Sequence, residues 1–250
     1  SSGSDLVTSN GTVTVTGLEA GSTREYSLDA GKSWTAFSGT SFTLTGDGAR
    51  SVTVRQTDAA GNVSTASDPL DLLLDTTAAT VSSVYVPSDY TYKVGDYLGF
   101  TVNVTEAVKV TGTPRLAITL GSQTVYATYD AEFSNADANG FTSTVRFKYD
   151  VRTGDADADG ISIGALDLNG GSIQDAAGND LSLTLNNVSS TISVLVDAQA
   201  PTLVSSTPAD NASNVLLDSN ITLTFSENLV INDPDKQIYL FRDGSIEESF

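Results

Sequence analysis

Short segments in which apolar and polar residues alternate constrain the fold of this chain more than any other feature. Residues 12–16 read Thr-Val-Thr-Val-Thr, and an extended strand places such Val side chains on one face and the Thr side chains on the other. No segment repeats apolar residues at the i, i+3, i+4, i+7 spacing of an amphipathic helix. Further strand-like runs, bounded by Gly, Asn, Asp and Ser, cover 51–55, 98–104, 115–120, 144–149, 191–196 and 221–225. The sequence predicts an all-β fold of antiparallel β-sandwiches.

The residue types that the chain lacks exclude several kinds of chemistry. It contains no His, no Cys and no Met. Without Cys there are no disulfides, thiolate nucleophiles or cysteine zinc sites, and without His there is no Ser-His-Asp triad. Pairs of carboxylates can hydrolyse glycosides without His, but no motif here sets two of them in a defined cleft. We therefore expect that the chain is not an enzyme.

The charge balance restricts the partners of the chain. It carries 31 acidic and 12 basic residues, for a formal net charge of −19. Such a chain repels the phosphates of nucleic acids and of anionic membranes. It also has no run of 18 apolar residues, so we expect no nucleic acid partner and no membrane insertion. The charge favours cationic partners, of which calcium is the obvious small one.

Three motifs recur along the chain in the same order. The offsets between the copies are 122, 121 and 117 residues, which is nearly constant and argues for tandem homologous modules. The paired segments are 75–83 with 197–205, 104–108 with 225–229, and 58–62 with 175–179. We place the modules at residues 1–77, 78–198 and 199–250.

The module lengths predict that this chain is a segment of something longer. The third module has only about half of the roughly 100 residues that a sandwich needs, and we expect the first module to be clipped at its N-terminus as well. The absence of Met fits the same expectation. The joints are short and contain no Gly, so we do not expect them to be freely flexible.

Several segments resemble a known family of repeats. Residues 25–34 read Glu-Tyr-Ser-Leu-Asp-Ala-Gly-Lys-Ser-Trp, and 54–62 read Val-Arg-Gln-Thr-Asp-Ala-Ala-Gly-Asn. In the later modules, 92–96 read Tyr-Lys-Val-Gly-Asp and 206–211 read Ser-Thr-Pro-Ala-Asp-Asn. These segments resemble the bacterial immunoglobulin-like repeats of giant secreted adhesins, including the RTX and biofilm-associated types.

This resemblance implies an architecture and a setting. It implies tandem immunoglobulin-like β-sandwich domains arranged as an extended rod. It further implies a bacterial cell-surface or extracellular location, contacts with neighbouring repeats of the same chain, and a host or surface target that is bound elsewhere in the parent protein. Repeats of this kind are often stiffened by calcium.

The sharpest local motif is Asp155-Ala-Asp157-Ala-Asp159-Gly160. Three carboxylates at alternate positions of an extended chain point to one side and supply hard oxygen ligands for calcium, and Gly160 permits a tight turn after them. The second half does not follow an EF-hand loop, because Leu166 stands where that loop has Glu. We predict a calcium loop framed by strands; the alternative is a solvated acidic turn.

A second candidate set lies at the joints. Asp75 and Asp197 end their modules, while Asp58 and Asp175 begin the Asp-Ala-Ala-Gly-Asn loops, which we expect at the same end of the module as the exit strand. Resemblance to calcium-bridged repeats implies that some of these share an ion, together with the recurring acidic residues Glu106 and Glu227. Alternatively, the loops are only tight turns, and the two Glu residues only discourage strand pairing.

Aromatic residues suggest a further, weaker possibility. Trp34 is expected in a sandwich core rather than on a sugar-binding surface. The tyrosines at 85, 90, 92 and 97 form either an exposed patch or core and interdomain packing, and we favour the latter. The leading functional hypothesis is a calcium-stiffened stalk segment of an adhesin. The alternatives are a ligand-binding module, for glycans or ice, and a subunit of a surface layer or filament.

Overall fold

The structure, a computed structural model, describes residues 6–216, 218–229, 239–242 and 245–249. Within these ranges the chain is all-β and contains no helix, and so none that could span a membrane. The contacts divide the chain into two compact units, 1–198 and 199–250. This division coincides with the predicted boundary at 198. The predicted boundary at 77 lies inside the first unit, between two separate sheets.

The first module is a small two-sheet structure. One sheet has the order β1-β7-β6-β3-β4, and the other pairs β2 with β5. The long strand β6 pairs with β7 from Gly48 opposite Leu74 to Val52 opposite Leu70. The strands are β1 (Leu6–Thr8), β2 (Thr12–Thr14), β3 (Thr23–Ser27), β4 (Thr35–Phe37), β5 (Ser41–Thr43), β6 (Gly48–Thr57) and β7 (Leu70–Leu74).

The core of the first module is thin. Its buried residues are Leu44, Val52, Leu72 and Leu74. The two sheets also meet through aromatic contacts, in which Phe42 of β5 stacks on Tyr26 of β3 at 4.1 Å between ring centroids. The prediction of a core Trp34 is wrong. The Trp34 side chain is only half-buried, and the Arg55 guanidinium carbon lies over its ring, 4.1 Å from the ring centroid.

The second module is built around one large sheet. Its order is β15-β11-β12-β13-β10-β16, with β8 also paired to β10, and a smaller sheet has the order β14-β17-β9. The strands are β8 (Val81–Tyr85), β9 (Tyr90–Tyr92), β10 (Tyr97–Thr111), β11 (Arg115–Leu120), β12 (Gln123–Tyr129), β13 (Phe141–Asp150), β14 (Ala156–Asp157), β15 (Ser162–Asp167), β16 (Ser172–Gln174) and β17 (Val194–Asp197).

The core of the second module is much larger. Alternation in β10 buries Leu98, Phe100 and Val102, as the sequence pattern predicts. Phe100 lies opposite Phe147 in the register of β10 and β13, and both rings are almost fully buried. The register shifts between Asn103 and Val108, so that residues 104–107 are an irregular insertion in β10.

The second unit contains two strand pairs within its described residues. β18 (Leu203–Thr207) pairs with β19 (Thr222–Phe225), and β20 (Tyr239–Arg242) pairs with β21 (Ser245–Ser249). The first pair contains most of the strand predicted at 221–225.

Candidate metal centre

Three carboxylates meet where the first module joins the second. Asp75, Glu106 and Asp175 each offer an oxygen, and these oxygens lie within 4.8 Å of one another. Asp175 is 4% exposed, and the other two are half-buried. No other group of three or more potential ligands this close occurs in the described part of the chain. All three residues belong to the set that the sequence predicts at the joints.

Each of the three residues is placed by a different feature of the fold. Asp75 directly follows β7, and its amide donates to the carbonyl of Thr8 at 3.0 Å. Glu106 lies in the irregular insertion of β10, where the amide of Thr105 bonds to the carbonyl of Thr80 at 2.9 Å. Asp175 begins the loop after β16. The site therefore draws one ligand from the first module and two from the second.

The two Asp-Ala-Ala-Gly-Asn loops have the same hydrogen bonds, which supports the sequence repeat. In the first loop Asp58 Oδ1 accepts from the amides of Ala60 (2.9 Å) and Asn62 (2.8 Å), and Asp58 Oδ2 accepts from Asn62 Nδ2 at 2.7 Å. These bonds, above all the one from the Asn62 side chain, lower the pKa of Asp58.

In the second loop the Asp175 carboxylate accepts the same three bonds at 2.8–2.9 Å, from the amides of Ala177 and Asn179 and from Asn179 Nδ2. The fourth position, Gly61 or Gly178, has a φ of 90° in each loop, a conformation that favours glycine. The prediction of tight turns is thus confirmed, and a loop carboxylate with three bonds still has lone pairs for a cation.

The prediction that these loops share an end with the exit strand is wrong. Asp58 follows the end of β6, whereas the exit residue Leu74 pairs with Gly48 at the start of β6. The intervening nine residues of strand span roughly 30 Å. In the second module, Gln174 pairs with Lys109, while the exit residue Ala198 bonds to Asp155 near the opposite end of the sheet. Each loop therefore lies at the end of its module opposite the exit, since antiparallel neighbours run in opposite directions. In the second module this is the end at which the chain enters, where the amide of Thr105 donates to the carbonyl of Thr80.

This placement brings the second loop against the preceding module. Asn179 Nδ2 donates to the carbonyl of Asp75 at 2.9 Å, and the amide of Ser9 donates to the carbonyl of Ala177 at 3.2 Å. The same asparagine also bonds to the Asp175 carboxylate at 2.9 Å. The loop thus fixes the position of Asp75 relative to Asp175.

The electrostatics of the cluster are unfavourable without a cation. Burial, followed by the negative charges of Asp75, Asp175 and Asp47, raises the pKa of Glu106 above its usual value. A divalent cation between the three carboxylates would offset this repulsion.

The ligand chemistry fits calcium better than a transition metal. Calcium takes six to eight oxygen ligands, and carboxylates supply one or two each. Three carboxylates therefore offer up to six oxygens, without the nitrogen or sulfur donors that favour zinc or copper. The sequence names these three residues among its candidates, but it does not show that they meet, because they lie far apart along the chain.

The Asp155–Asp159 loop is organised differently from the expected calcium loop. Asp157 is buried, and its two oxygens accept from the amides of Gly121 (2.7 Å) and Gly160 (2.8 Å). Asp155 Oδ2 accepts from Tyr149 Oη and from the amide of Arg152, both at 2.8 Å. Burial, and secondly this bond to Asp155, raises the pKa of Tyr149 to about 12.

The three aspartates of this loop do not gather into a cluster within the described part of the chain. Asp159 is exposed. Gly160 has a φ of 103°, so the predicted tight turn is present. The first two aspartates act as acceptors that hold the loop on the sheet, and a calcium role for the loop stays a prediction.

Three further predicted ligands are not members of the group of Asp75, Glu106 and Asp175. Asp58 follows the end of β6, at the end of the first module away from the joint. Asp197 ends β17 and is exposed, and Glu227 follows β19 and is exposed. A metal role for these three residues stays a prediction.

Asp47 is a joint residue that sequence reasoning missed. It lies in the turn before β6, and Asp47 Oδ1 accepts from both the amide and the hydroxyl of Thr76 at 2.7 Å. Asp47 Oδ2 accepts from the hydroxyl of Thr77. These bonds lower the pKa of Asp47, and they hold the linker that follows Asp75. The pairing of Gly48 with Leu74 places the turn that contains Asp47 beside the linker that follows Asp75. Sequence reasoning missed Asp47 because this pairing is not visible in the sequence.

Replacing Asp47 is expected to loosen the joint. In Asp47→Ala the amide of Thr76 loses its acceptor, so its hydrogen exchange should become several-fold faster at neutral pH. Because the pKa of Asp47 is lowered in the folded chain, the stabilisation by its hydrogen bonds to Thr76 and Thr77 is fully present above the ordinary Asp pKa. This stabilisation is lost as the pH falls through the folded pKa. Native-state exchange read by NMR measures both effects, with exposed Asp71→Ala as the control. Equal exchange rates of the Thr76 amide in both variants would show that Asp47 does not hold the linker.

Comparison with known families agrees with the fold. Residues 197–249 match the family model of a bacterial Ig-like domain. No curated protein matches the chain. The match covers the third module, and the all-β sheets of the first two modules fit the same β-sandwich class. This match supports a bacterial Ig-like domain at residues 197–249, a non-catalytic type of fold that occurs in surface or extracellular proteins.

Proposed function

We propose that the chain is a calcium-stiffened stalk segment of a large bacterial adhesin of the RTX or biofilm-associated type. The observation that supports this function most is the carboxylate cluster at the joint, to which the first module contributes Asp75 and the second contributes Glu106 and Asp175. Carboxylates shared between consecutive modules link cation binding to the angle between those modules.

The proposed mechanism follows from charge. Without a cation, Asp75 repels Glu106 and Asp175, and only hydrogen bonds such as those of Asn179 and Asp47 oppose this repulsion. With calcium at extracellular, millimolar levels, the three carboxylates share the ion and the joint locks. Modules locked in series form a rod that displays an adhesive domain located elsewhere in the parent protein. The net charge of −19 then also keeps neighbouring stalks apart.

Small-angle scattering in calcium and in chelator tests this function. We expect a narrower distribution of dimensions in calcium, and slower cleavage at residues 75–80 by an added protease. The double variant Glu106→Gln/Asp175→Asn lacks two of the three carboxylate ligands, so its scattering should not differ between calcium and chelator. Identical scattering of the unaltered chain in both conditions would refute the stiffening mechanism.

A further inference from the structure

A groove of about 630 Å³ opens on the second module, away from the carboxylate cluster. Three aromatic side chains line it and remain more than half exposed, namely Tyr90 (55%), Tyr97 (55%) and Phe133 (54%). Its volume falls within the range of small-molecule sites. From the rings and polar groups of this groove we infer that it binds a carbohydrate chain.

The aromatic rings are held in place although they face solvent. Tyr97 lies on the outer face of β10, because its neighbour Leu98 points into the core. A side chain at Gly99 would come within 3.3 Å of the Tyr97 ring, so that ring lies against the bare Gly99 backbone. Lys148 Nζ lies over the Tyr97 ring, 5.1 Å from its centroid. Glycine inside a strand often marks a place that a ligand approaches closely.

Tyr90 is fixed by a second aromatic contact. Its ring meets that of Tyr92 edge-on at 5.2 Å, and Tyr92 Oη donates to the carbonyl of Ser88 at 3.1 Å. A ring that is already ordered loses little conformational entropy when a ligand stacks on it. Tyr90 and Tyr97 thus offer preorganised apolar surfaces to the C–H face of a sugar ring.

Polar groups of both kinds stand beside the rings. The amide of Asp130, directly after β12, donates to the carbonyl of Arg146 in β13 at 2.8 Å, which sets these residues side by side. Neither side chain forms an ion pair in the described part of the chain. The guanidinium supplies donors and the carboxylate supplies acceptors, and adjacent sugar hydroxyls need both. Asp130 Oδ1 accepts one bond, from the amide of Phe133 at 3.4 Å, and its carboxylate keeps further acceptor positions. The combination of rings with such donors and acceptors favours a saccharide over a purely apolar ligand.

Glycan-array binding of the whole chain tests this inference. The probes are neutral polysaccharides (dextran, xylan, mannan, galactan) and acidic ones (alginate, hyaluronan). We expect the chain to bind at least one of these polysaccharides. In the double variant Tyr90→Ala/Tyr97→Ala its affinity for that polysaccharide should fall roughly tenfold or more. If the bound chain is acidic, Arg146→Ala should reduce binding as strongly; if it is neutral, the reduction should be smaller.

The matched control is Tyr126→Ala, which removes another exposed tyrosine of this module. Arg115 lies over the Tyr126 ring at 4.0 Å, as Lys148 does over Tyr97, but Tyr126 is outside the groove. Thermal midpoints of all variants confirm folding. The inference is overturned if no probe is retained, if the double variant binds normally, or if Tyr126→Ala weakens binding equally. The stalk function is independent of these outcomes, because its ligands lie outside the groove.

Discussion

Calcium is expected to raise the thermal midpoint of the chain, and replacing Asp175 is expected to remove most of that increase. At about 10 mM calcium and a dissociation constant on the order of 10⁻⁴ M, binding to the folded state alone raises the free energy of unfolding by about 2.7 kcal/mol. For modules of this size that corresponds to a shift on the order of 10 °C. Scanning calorimetry in calcium and in chelator measures it.

The repeat supplies a matched control for this experiment. Asp58→Asn and Asp175→Asn make the same change in loops with the same hydrogen bonds. Both should lower the midpoint in chelator, because both weaken a loop. Only Asp175→Asn should also reduce the increase that calcium produces, since Asp58 lies outside the cluster. If both variants keep the full increase, Asp175 is not a ligand.

The same measurement separates the two candidate calcium sites. Asp157→Asn should lower the midpoint in chelator, since buried Asp157 accepts from two amides, yet leave the calcium effect intact. Loss of the calcium effect in this variant, with retention in Asp175→Asn, would move the site to the Asp155–Asp159 loop.

Replacing Phe147 is expected to destabilise the second module by about 3–5 kcal/mol. The Phe147 side chain is 1% exposed, lies opposite Phe100 and meets the Tyr129 ring at 6.3 Å. Phe147→Ala removes these contacts and leaves a cavity between strands that cannot collapse freely. Urea unfolding followed by circular dichroism measures the free energy of unfolding.

Phe133→Ala is the control for this prediction. It removes the same ring from a position that is 54% exposed, so its effect should lie within about 0.5 kcal/mol. Trp34 is the only Trp and belongs to the first module, so its fluorescence reports on that module separately. A loss below about 1 kcal/mol in Phe147→Ala would contradict the described core.

Sequence patterns predicted the strands of the second module well. The run at 115–120 is β11 to the residue, and the runs at 98–104 and 144–149 lie inside β10 and β13. These three predictions are correct because the alternation of apolar and polar residues indicates which face of a strand is buried. The run at 12–16 became a strand of only three residues, in a module whose small core supports less regular sheet.

The prediction of Trp34 in the core failed for a reason that the sequence does not display. Burial of a particular ring depends on which aromatic residues the sheets bring together. In this fold Tyr26 and Phe42 stack between the sheets, and Trp34 is left to pair with Arg55.

The sequence by itself determined the properties that depend on composition and on near neighbours. These are the all-β class, the strong negative charge and the two Asp-Ala-Ala-Gly-Asn turns. Only the tertiary structure decided which carboxylates meet. Asp75, Glu106 and Asp175 are separated by tens of residues, and their approach depends on strand register, on the irregular insertion in β10 and on the packing of one module against the next. Local residue preferences do not specify such long-range contacts, so only the folded chain shows which three of the nine acidic candidates lie together.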